Sequence, residues 1–379
     1  MDTRPRKVKL LLVITYYYPH WTGLTQYAKA LAESLDKKMF SVSVLAYKHE
    51  LDLREEEEIS DVRVIRIPAW FRLSRTMVSP LWFAVLWRQM AGCDKVVAFT
   101  PQAEVAAVAV MAWVWRKPFW LIHNGDLVLP KGVGNRILEK IFYMTTSLAI
   151  SLSRGVIVNT KDYATHSALL KKFPKKWIEL RPPFPPLEPK SKIEKQINSK
   201  LKGFKHRIGF SGRWVEEKGF DILLKAVPLV TCKIPNTGFV FAGETNITYE
   251  NFYKSQENII KRLEPNLVML GKLEHEDMGA FYKACDVLVV SSRSDFFPFV
   301  QAEAMLAGVP VVVTDIPGAR QPVIQTGMGV VVAKESPTAL AEGILEVLRN
   351  KKRFTVQKEK VKKYFDYPST IQKYESLLI

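Results

Sequence analysis

Arg213 and Lys218 stand five positions apart in the segment GFSGRWVEEKG, residues 209–219. Arg207–Phe210 reads as a buried strand, Gly212 as part of the turn that ends it, and Lys218–Thr231 as a helix. Turn amides and helix N-termini attract anions, and two cations at such a turn can clamp a diphosphate. Taken alone, the same pair also fits a solvated turn with ordinary surface charges.

A second group lies in SSRSDFFPFVQAEAMLAGVPV, residues 291–311. A strand over Val287–Val290 runs into a polar loop, and a helix begins near Phe299 and Val300. Asp295 falls in the loop and Glu303 inside the helix, among Ala302, Ala304, Met305 and Ala307. A carboxylate in that apolar setting needs hydrogen-bond donors, and the hydroxyls of a ribose would serve. A structural carboxylate capping a neighbouring loop would answer the same need.

Two segments of the N-terminal half join these. PHWTGLT, residues 19–25, lies between a first strand and a helix, with Gly23 at the turn. His123 closes the strand Phe119–Ile122 and opens His123-Asn124-Gly125-Asp126. Ligands bind at the carboxyl ends of parallel strands, so His123 is expected to face a cleft. An ordinary turn and a structural histidine are the bland readings of the two.

The elements that must position these residues alternate. Val8–Ile14, Val42–Ala46, Val62–Ile67, Lys95–Phe99, Phe119–His123 and Gly155–Asn159 read as strands. Such near-continuous aliphatic runs suit parallel strands buried on both faces. Helical spacing covers Tyr27–Leu35, Ser79–Met90, Ala103–Trp115 and Gly134–Ser153. Prolines 182, 183, 185, 186 and 189 then break the pattern, because proline lacks the amide donor and fixes φ. A second alternation follows, with strands at Phe239–Ala242, Leu267–Leu270, Val309–Val313 and Gly329–Val332 besides those already named. The helices His275–Cys285 and Thr338–Asn350 fit between and after them. The expectation is α/β: two facing Rossmann-like domains with parallel sheets and a cleft between them. Their bounds read 1–184, a linker over 185–205, 206–352, and a helical tail 353–379, broken near Pro368, that returns to the first domain.

At this level of detail the chain resembles the GT-B glycosyltransferases of group 1, also called glycosyltransferase family 4. The resemblance rests on Gly212-Arg213 with Lys218-Gly219, on the carboxylate-x7-Glu segment that continues to Gly308-Val309-Pro310-Val311, and on Leu270-Gly271 and Gly318. It implies a retaining transfer of sugar from a nucleotide-diphosphate donor to a glycan or lipid-linked acceptor. Arg213 and Lys218 would neutralise the leaving phosphate, so neither a metal nor a cofactor is implied. Glu303 would bind the ribose, Asp295 the transferred sugar, and the amides of Phe299 and Val300 the phosphates. Leu273, in the loop after Gly271, would lie against the base. Gly23 would approach the donor phosphate, and His123 would contact the donor sugar.

Three positions depart from the family pattern. Asp295 stands where the family has glutamate, Pro298 where it has glycine, and Leu24 where a second glycine follows Gly23. The first two leave the cationic pair intact and are read as tuning donor choice, while Leu24 bears on how closely the loop's backbone approaches the donor. A nucleotide-sugar epimerase, or a binding protein of the same fold without transfer activity, is the competing reading.

Composition narrows the partners. The 379 residues hold 55 Lys and Arg against 38 Asp and Glu, a formal charge of +17. That excess attracts polyanions. No nucleic-acid module is recognisable and the basic residues are spread, so nucleic acid is not expected. Phe71–Met90 carries Arg72, Arg75 and Arg88 among Trp82, Phe83, Leu86 and Trp87, and Gly134–Tyr143 adds Arg136, Lys140 and Phe142. These could rest on an anionic membrane, although the spacing of Trp82 and Leu86 favours the core. No stretch is long and apolar enough to span a bilayer, no signal peptide is visible, and three scattered cysteines suit a reducing compartment. A cytoplasmic protein, at most peripheral on the inner face of the membrane, is expected.

Overall fold

The computed structural model describes residues 6–73, 76–127, 133–187, 191–247 and 250–379. Arg75 and the side chain of Arg72, both expected in a membrane-facing segment, lie outside the described residues. The chain divides into two compact units, Met1–Pro183 with Tyr367–Ile379, and Phe184–Asp366.

The first unit is built on β1 (Val8–Val13), β2 (Phe40–Tyr47), β3 (Glu56–Ile59), β4 (Val62–Ile67), β7 (Lys95–Thr100), β8 (Phe119–His123), β9 (Gly155–Val158) and β10 (Trp177–Glu179), with β5 (Phe71–Leu73) and β6 (Thr76–Val78) forming a separate hairpin. The sheet order is β10-β9-β8-β7-β1-β2-β4-β3. Every pairing is parallel except β3 with β4. The antiparallel β3 was not anticipated, because Glu56-Glu57-Glu58 has neither the aliphatic content nor the alternation of a strand.

Side chains leave a strand on alternate faces, and the two faces are covered differently. Leu11, Val13, Val96, Ala98, Leu121 and Val156 share one cluster with the helices Pro80–Gly92, Val105–Val114 and Val133–Leu152. Trp82 and Leu86 are fully buried there, which places them in the core and not on a membrane-facing surface. On the opposite face Tyr27, from the helix Gly23–Ser34, meets Phe99 edge-on at 5.5 Å, and its hydroxyl bonds to that of Tyr374. Tyr374 belongs to the last helix, Tyr367–Leu378, whose Tyr367 hydroxyl lies 2.5 Å from Ser34 Oγ. Pro368 falls in the first turn of that helix, where a missing amide proton costs nothing.

The second unit holds β11 (His206–Ser211), β12 (Thr237–Ala242), β13 (Leu267–Gly271), β14 (Val287–Val290), β15 (Val311–Thr314) and β16 (Gly329–Val332), all parallel, in the order β13-β12-β11-β14-β15-β16. Its core carries an aromatic stack in which Trp214 lies 3.7 Å from Phe220, centroid to centroid, with Phe210 and Phe241 around them. The segment 185–205, read from its prolines and lysines as a linker, contains a helix over Ser191–Lys200 that belongs to this unit. Ile193, Ile197 and Leu201 recur at i, i+4 and i+8, and the last two are buried, so a thin apolar stripe outweighs the polar composition.

Candidate functional site

Strand order in the second unit reverses between β11 and β14: the chain grows outward through β12 and β13 on one side and through β15 and β16 on the other. Loops that leave adjacent strands at such a point part from each other and open a crevice at the carboxyl edge. The loop after β11 carries Gly212, Arg213 and Lys218, and the loop after β14 carries Asp295 and leads into the helix that holds Phe299, Val300 and Glu303.

Local packing fixes where each of these points. Trp214 is wholly buried and its amide donates to the Glu244 carbonyl at 3.0 Å, so its neighbour Arg213 is turned outward. The Arg213 guanidinium is about half exposed and lies 3.8 Å from Glu217. Gly212 and Gly243 pass so close that a Cβ on Gly243 would come within 1.9 Å of the Gly212 carbonyl oxygen. Gly219 adopts φ +68°, and a Cβ there would meet the Ser291 carbonyl at 2.1 Å. Ser291 in turn donates its hydroxyl towards the Lys218 and Gly219 carbonyls, 3.0 Å from each. The turn after β11 is thus docked on the end of β14.

This docking brings Lys218 to Asp295, with Nζ 2.6 Å from Oδ2. The aspartate is almost fully buried, and its Oδ1 accepts from the Phe297 amide at 3.3 Å. Burial by itself would lower the Lys218 pKa, but the Asp295 and Glu217 carboxylates outweigh it and hold the ammonium above its ordinary value. Arg293, which the sequence reading passed over, stitches the same two loops. Its guanidinium forks onto Asp221 at 2.9 and 2.8 Å and donates to the Glu216 carbonyl at 2.7 Å. Burial opposes ionisation of Asp221, yet the Arg293 contact wins and lowers its pKa.

The helix Phe299–Leu306 starts behind Pro298, whose φ of −65° suits a helix entry. The Phe299 ring packs on Phe184 at 5.2 Å, so its side chain anchors the helix start, while Val300 is half-buried. Glu303 lies buried one turn further. It accepts from the Tyr282 hydroxyl, 2.6 Å from Oε2, and His275 Nδ1 stands 3.8 Å from Oε1. Burial and the adjacent carboxylate both push the Tyr282 hydroxyl far above its ordinary pKa, so it remains the donor. Tyr282 gave no signal in the sequence, since an aromatic in a short apolar helix reads as core. Leu273 is half-buried, two residues past the end of β13, where Gly271 takes φ +74°.

In the first unit Gly23 opens its helix, capped reciprocally by Thr22 and Thr25: the Thr22 amide donates to Thr25 Oγ1 at 2.7 Å, and the Thr25 amide to Thr22 Oγ1 at 3.3 Å. The loop ahead of it is tied down by Arg66, a buried residue whose guanidinium donates to the Tyr18 carbonyl at 2.6 Å. His123 is buried at the carboxyl end of β8, with Nδ1 2.9 Å from Thr100 Oγ1 and Nε2 3.1 Å from Asp126 Oδ1. Asp126 also accepts from Ser167 Oγ, at 2.9 and 2.8 Å. Burial works against that carboxylate's charge, but the bonds from His123 and Ser167 lower its pKa overall. Both ring nitrogens of His123 are therefore engaged within the first unit. Among the described residues no three His, Cys, Asp or Glu side chains gather as metal ligands would.

The loops after β11 and β14 fall within a stretch, residues 191–364, that matches the family Glycosyl transferases group 1. Most of the second unit, Phe184–Asp366, thus resembles a group 1 glycosyl transferase domain. Over 142 residues, 37% of this chain and 38% of the relative, the chain is 32% identical to an uncharacterized glycosyltransferase of Methanocaldococcus jannaschii. It is 27% identical over 160 residues, 42% of this chain and 41% of the relative, to the capsular polysaccharide biosynthesis glycosyltransferase CapM of Staphylococcus aureus. These alignments span about two fifths of each relative's length. The fold likeness reaches beyond that stretch. The Anabaena HepE structure solved with UDP and glucose superposes with a TM-score of 0.79 at 17% identity, covering 98% of this chain and 99% of that one. Both units therefore have the Rossmann-like parallel α/β build of GT-B proteins.

Proposed function

We propose that this chain is a retaining glycosyltransferase that moves a sugar from a nucleotide-diphosphate donor to a hydroxyl of a glycan or lipid-linked acceptor. The observation that carries the reading is the Lys218–Asp295 contact of 2.6 Å at the carboxyl edge between β11 and β14, inside the stretch that matches the group 1 family. An ammonium has three protons, so Lys218 can keep Asp295 and still donate to a phosphate oxygen. Arg213, at the exposed rim of the same turn, supplies the second positive charge, and Glu303 with Tyr282 and His275 offers a buried polar seat for ribose hydroxyls.

In the proposed step the bond from the anomeric carbon to the donor phosphate breaks as the acceptor oxygen bonds to that carbon on the same face. The departing phosphate oxygen takes the acceptor's proton. Arg213 and Lys218 stabilise the charge that develops, which makes a divalent ion unnecessary. His123, locked between Thr100 and Asp126 within the first unit, is better suited to an orienting role than to transferring protons.

A thermal-shift panel of UDP-, GDP- and ADP-sugars identifies the donor, with stabilisation of about 2.7 kcal/mol expected at a hundredfold excess over the dissociation constant. Proton NMR of the product should then give the donor's own anomeric configuration, with the rate unchanged by a chelator. An inverted product, or loss of activity on chelation restored by a divalent ion, would overturn the proposal. We place the enzyme in the cytoplasm, a reading supported by three cysteines that form no disulfide.

A further inference from the structure

The three helices that cover one face of the first unit's sheet leave an unusual outer surface. On Val133–Leu152 the residues Ile137, Ile141, Met144 and Leu148 recur at intervals of four, three and four, which aligns them along one stripe, and all four are exposed. The neighbouring helix Val105–Val114 packs against it and presents Trp113, 67% exposed, with Val110 and Val114. Beyond that, Pro80–Gly92 presents Phe83 and Trp87. All three helices bury their other sides in the same core cluster, so their exposed residues form one apolar face. Monomeric proteins rarely expose such a face without a use for it.

At the amino-terminal end of β8 and β9 this face meets a cavity of about 560 Å³ lined by Trp113, Arg116, Lys117, Phe119, Leu152 and Arg154, among others. The Lys117 ammonium is held by the Cys93 carbonyl at 2.6 Å. Arg116 and Arg154 are exposed, and among the described residues neither has an acidic partner. Arg88, Arg136 and Lys140 add charge along the helices, whose single acidic residue, Glu139, is half-buried.

We propose that this face docks the protein on an anionic lipid membrane, with the apolar stripe entering the interface and the Arg116–Arg154 cavity taking a lipid phosphate. Charge decides between occupants. A second copy of the chain on this face would set arginines against arginines with no carboxylates opposite, whereas anionic headgroups complement them. None of the described helices is long and apolar enough to cross a bilayer, so the contact is interfacial. The cavity lies at the opposite end of the strands from His123 and is distinct from the donor reading.

The test is flotation of the full chain with vesicles of phosphatidylcholine, with and without phosphatidylglycerol. The wild type should rise only with the anionic vesicles and fall back in high salt. Trp113→Glu and Ile141→Glu, both at exposed positions, should abolish flotation while melting temperature and nucleotide-sugar stabilisation stay at wild-type values. Arg116→Ala and Arg154→Ala should each weaken partitioning about fivefold, the equivalent of ~1 kcal/mol per basic residue near an anionic surface. Wild type that stays unfloated with anionic vesicles overturns the proposal, as do glutamate variants that float normally. Stabilisation by soluble glycerol phosphate without flotation would assign the cavity to a free phosphate and overturn it too. So would a dimer that Trp113→Glu converts to a monomer without changing flotation.

Discussion

Lys218 Nζ lies 2.6 Å from Asp295 Oδ2, across the two loops that part where the strand order of the second unit reverses. The pair joins residues 77 positions apart and leaves the lysine about a quarter exposed, so its charge is fixed in place and still reachable by a ligand. Lys218→Ala should lower kcat by about 10²–10³-fold, the size of effect seen when one donor to a developing anion is removed. Asp295→Asn should keep the side chain's shape and lower kcat less. Equal turnover in wild type and Lys218→Ala, measured on folded protein, would remove this lysine from the mechanism.

The same pair has a pH signature. The Lys218 pKa is raised in the folded state, so its contribution to stability is complete below the ordinary lysine value of about 10.4 and is lost as pH climbs through the higher folded value. Thermal melts from pH 6 to 9, roughly, should therefore show no difference in slope between wild type and Lys218→Met, with the two converging only in strong alkali.

Arg213 separates catalysis from stability. Its side chain is half exposed, and its contact with Glu217 is long at 3.8 Å. Arg213→Ala should change unfolding free energy by no more than about 0.5 kcal/mol while turnover falls about 10²-fold or more. A chemical denaturation curve and a single-substrate rate measurement check both halves.

Tyr282 should behave oppositely to Arg213, and its partner Glu303 should follow Arg213. Tyr282→Phe removes the hydroxyl that bonds the buried carboxylate at 2.6 Å, which should cost about 1–3 kcal/mol of stability. Glu303→Gln keeps the bond and removes the charge, so it should weaken nucleotide-sugar affinity more than it lowers the melting temperature. Isothermal titration of both variants distinguishes these effects.

Gly219→Ala tests the docking of the turn itself. With φ at +68° and a Cβ that would sit 2.1 Å from the Ser291 carbonyl, the turn must shift off the end of β14. Loss of at least about 1 kcal/mol of stability is expected, together with a loss of turnover like that of Lys218→Ala, because the lysine moves with the turn. Wild-type stability and rate would mean the two loops are not rigidly coupled.

Asp126 governs the acid side. Its pKa is lowered in the fold, so the stability it contributes is present above the unfolded value of about 3.9 and is lost as pH falls through the folded one. Asp126→Asn should melt lower than wild type at pH 7, and the gap should close as the pH is lowered below about 4.

The alternation of aliphatic runs with helical spacing was sufficient to derive two parallel α/β units, because a strand buried on both faces is written continuously in the chain. The motifs around Arg213, Lys218, Asp295 and Glu303 were legible for a similar reason: a turn between strand and helix is local, and its glycines and charges stand together. The helix Ser191–Lys200 was hidden by its lysines, because only Ile193, Ile197 and Leu201 mark its buried side. Strand β3 was hidden by its glutamates, since an antiparallel edge strand needs backbone pairing more than apolar content.

What the tertiary structure alone decided is which residues became partners. Spacing showed that Glu303 needed donors, but Tyr282 and His275 reach it from a helix and a turn before β14. Spacing likewise placed His123 at a strand end, while Thr100 and Asp126, which take both its nitrogens, are set by the pairing of β7 with β8 and by the loop beyond. The exposed side of Val133–Leu152 was decided the same way, by which stripe the sheet happened to bury. Local chemistry is inscribed along the chain, but long-range contacts depend on loop closure and strand order, which no short window of residues contains.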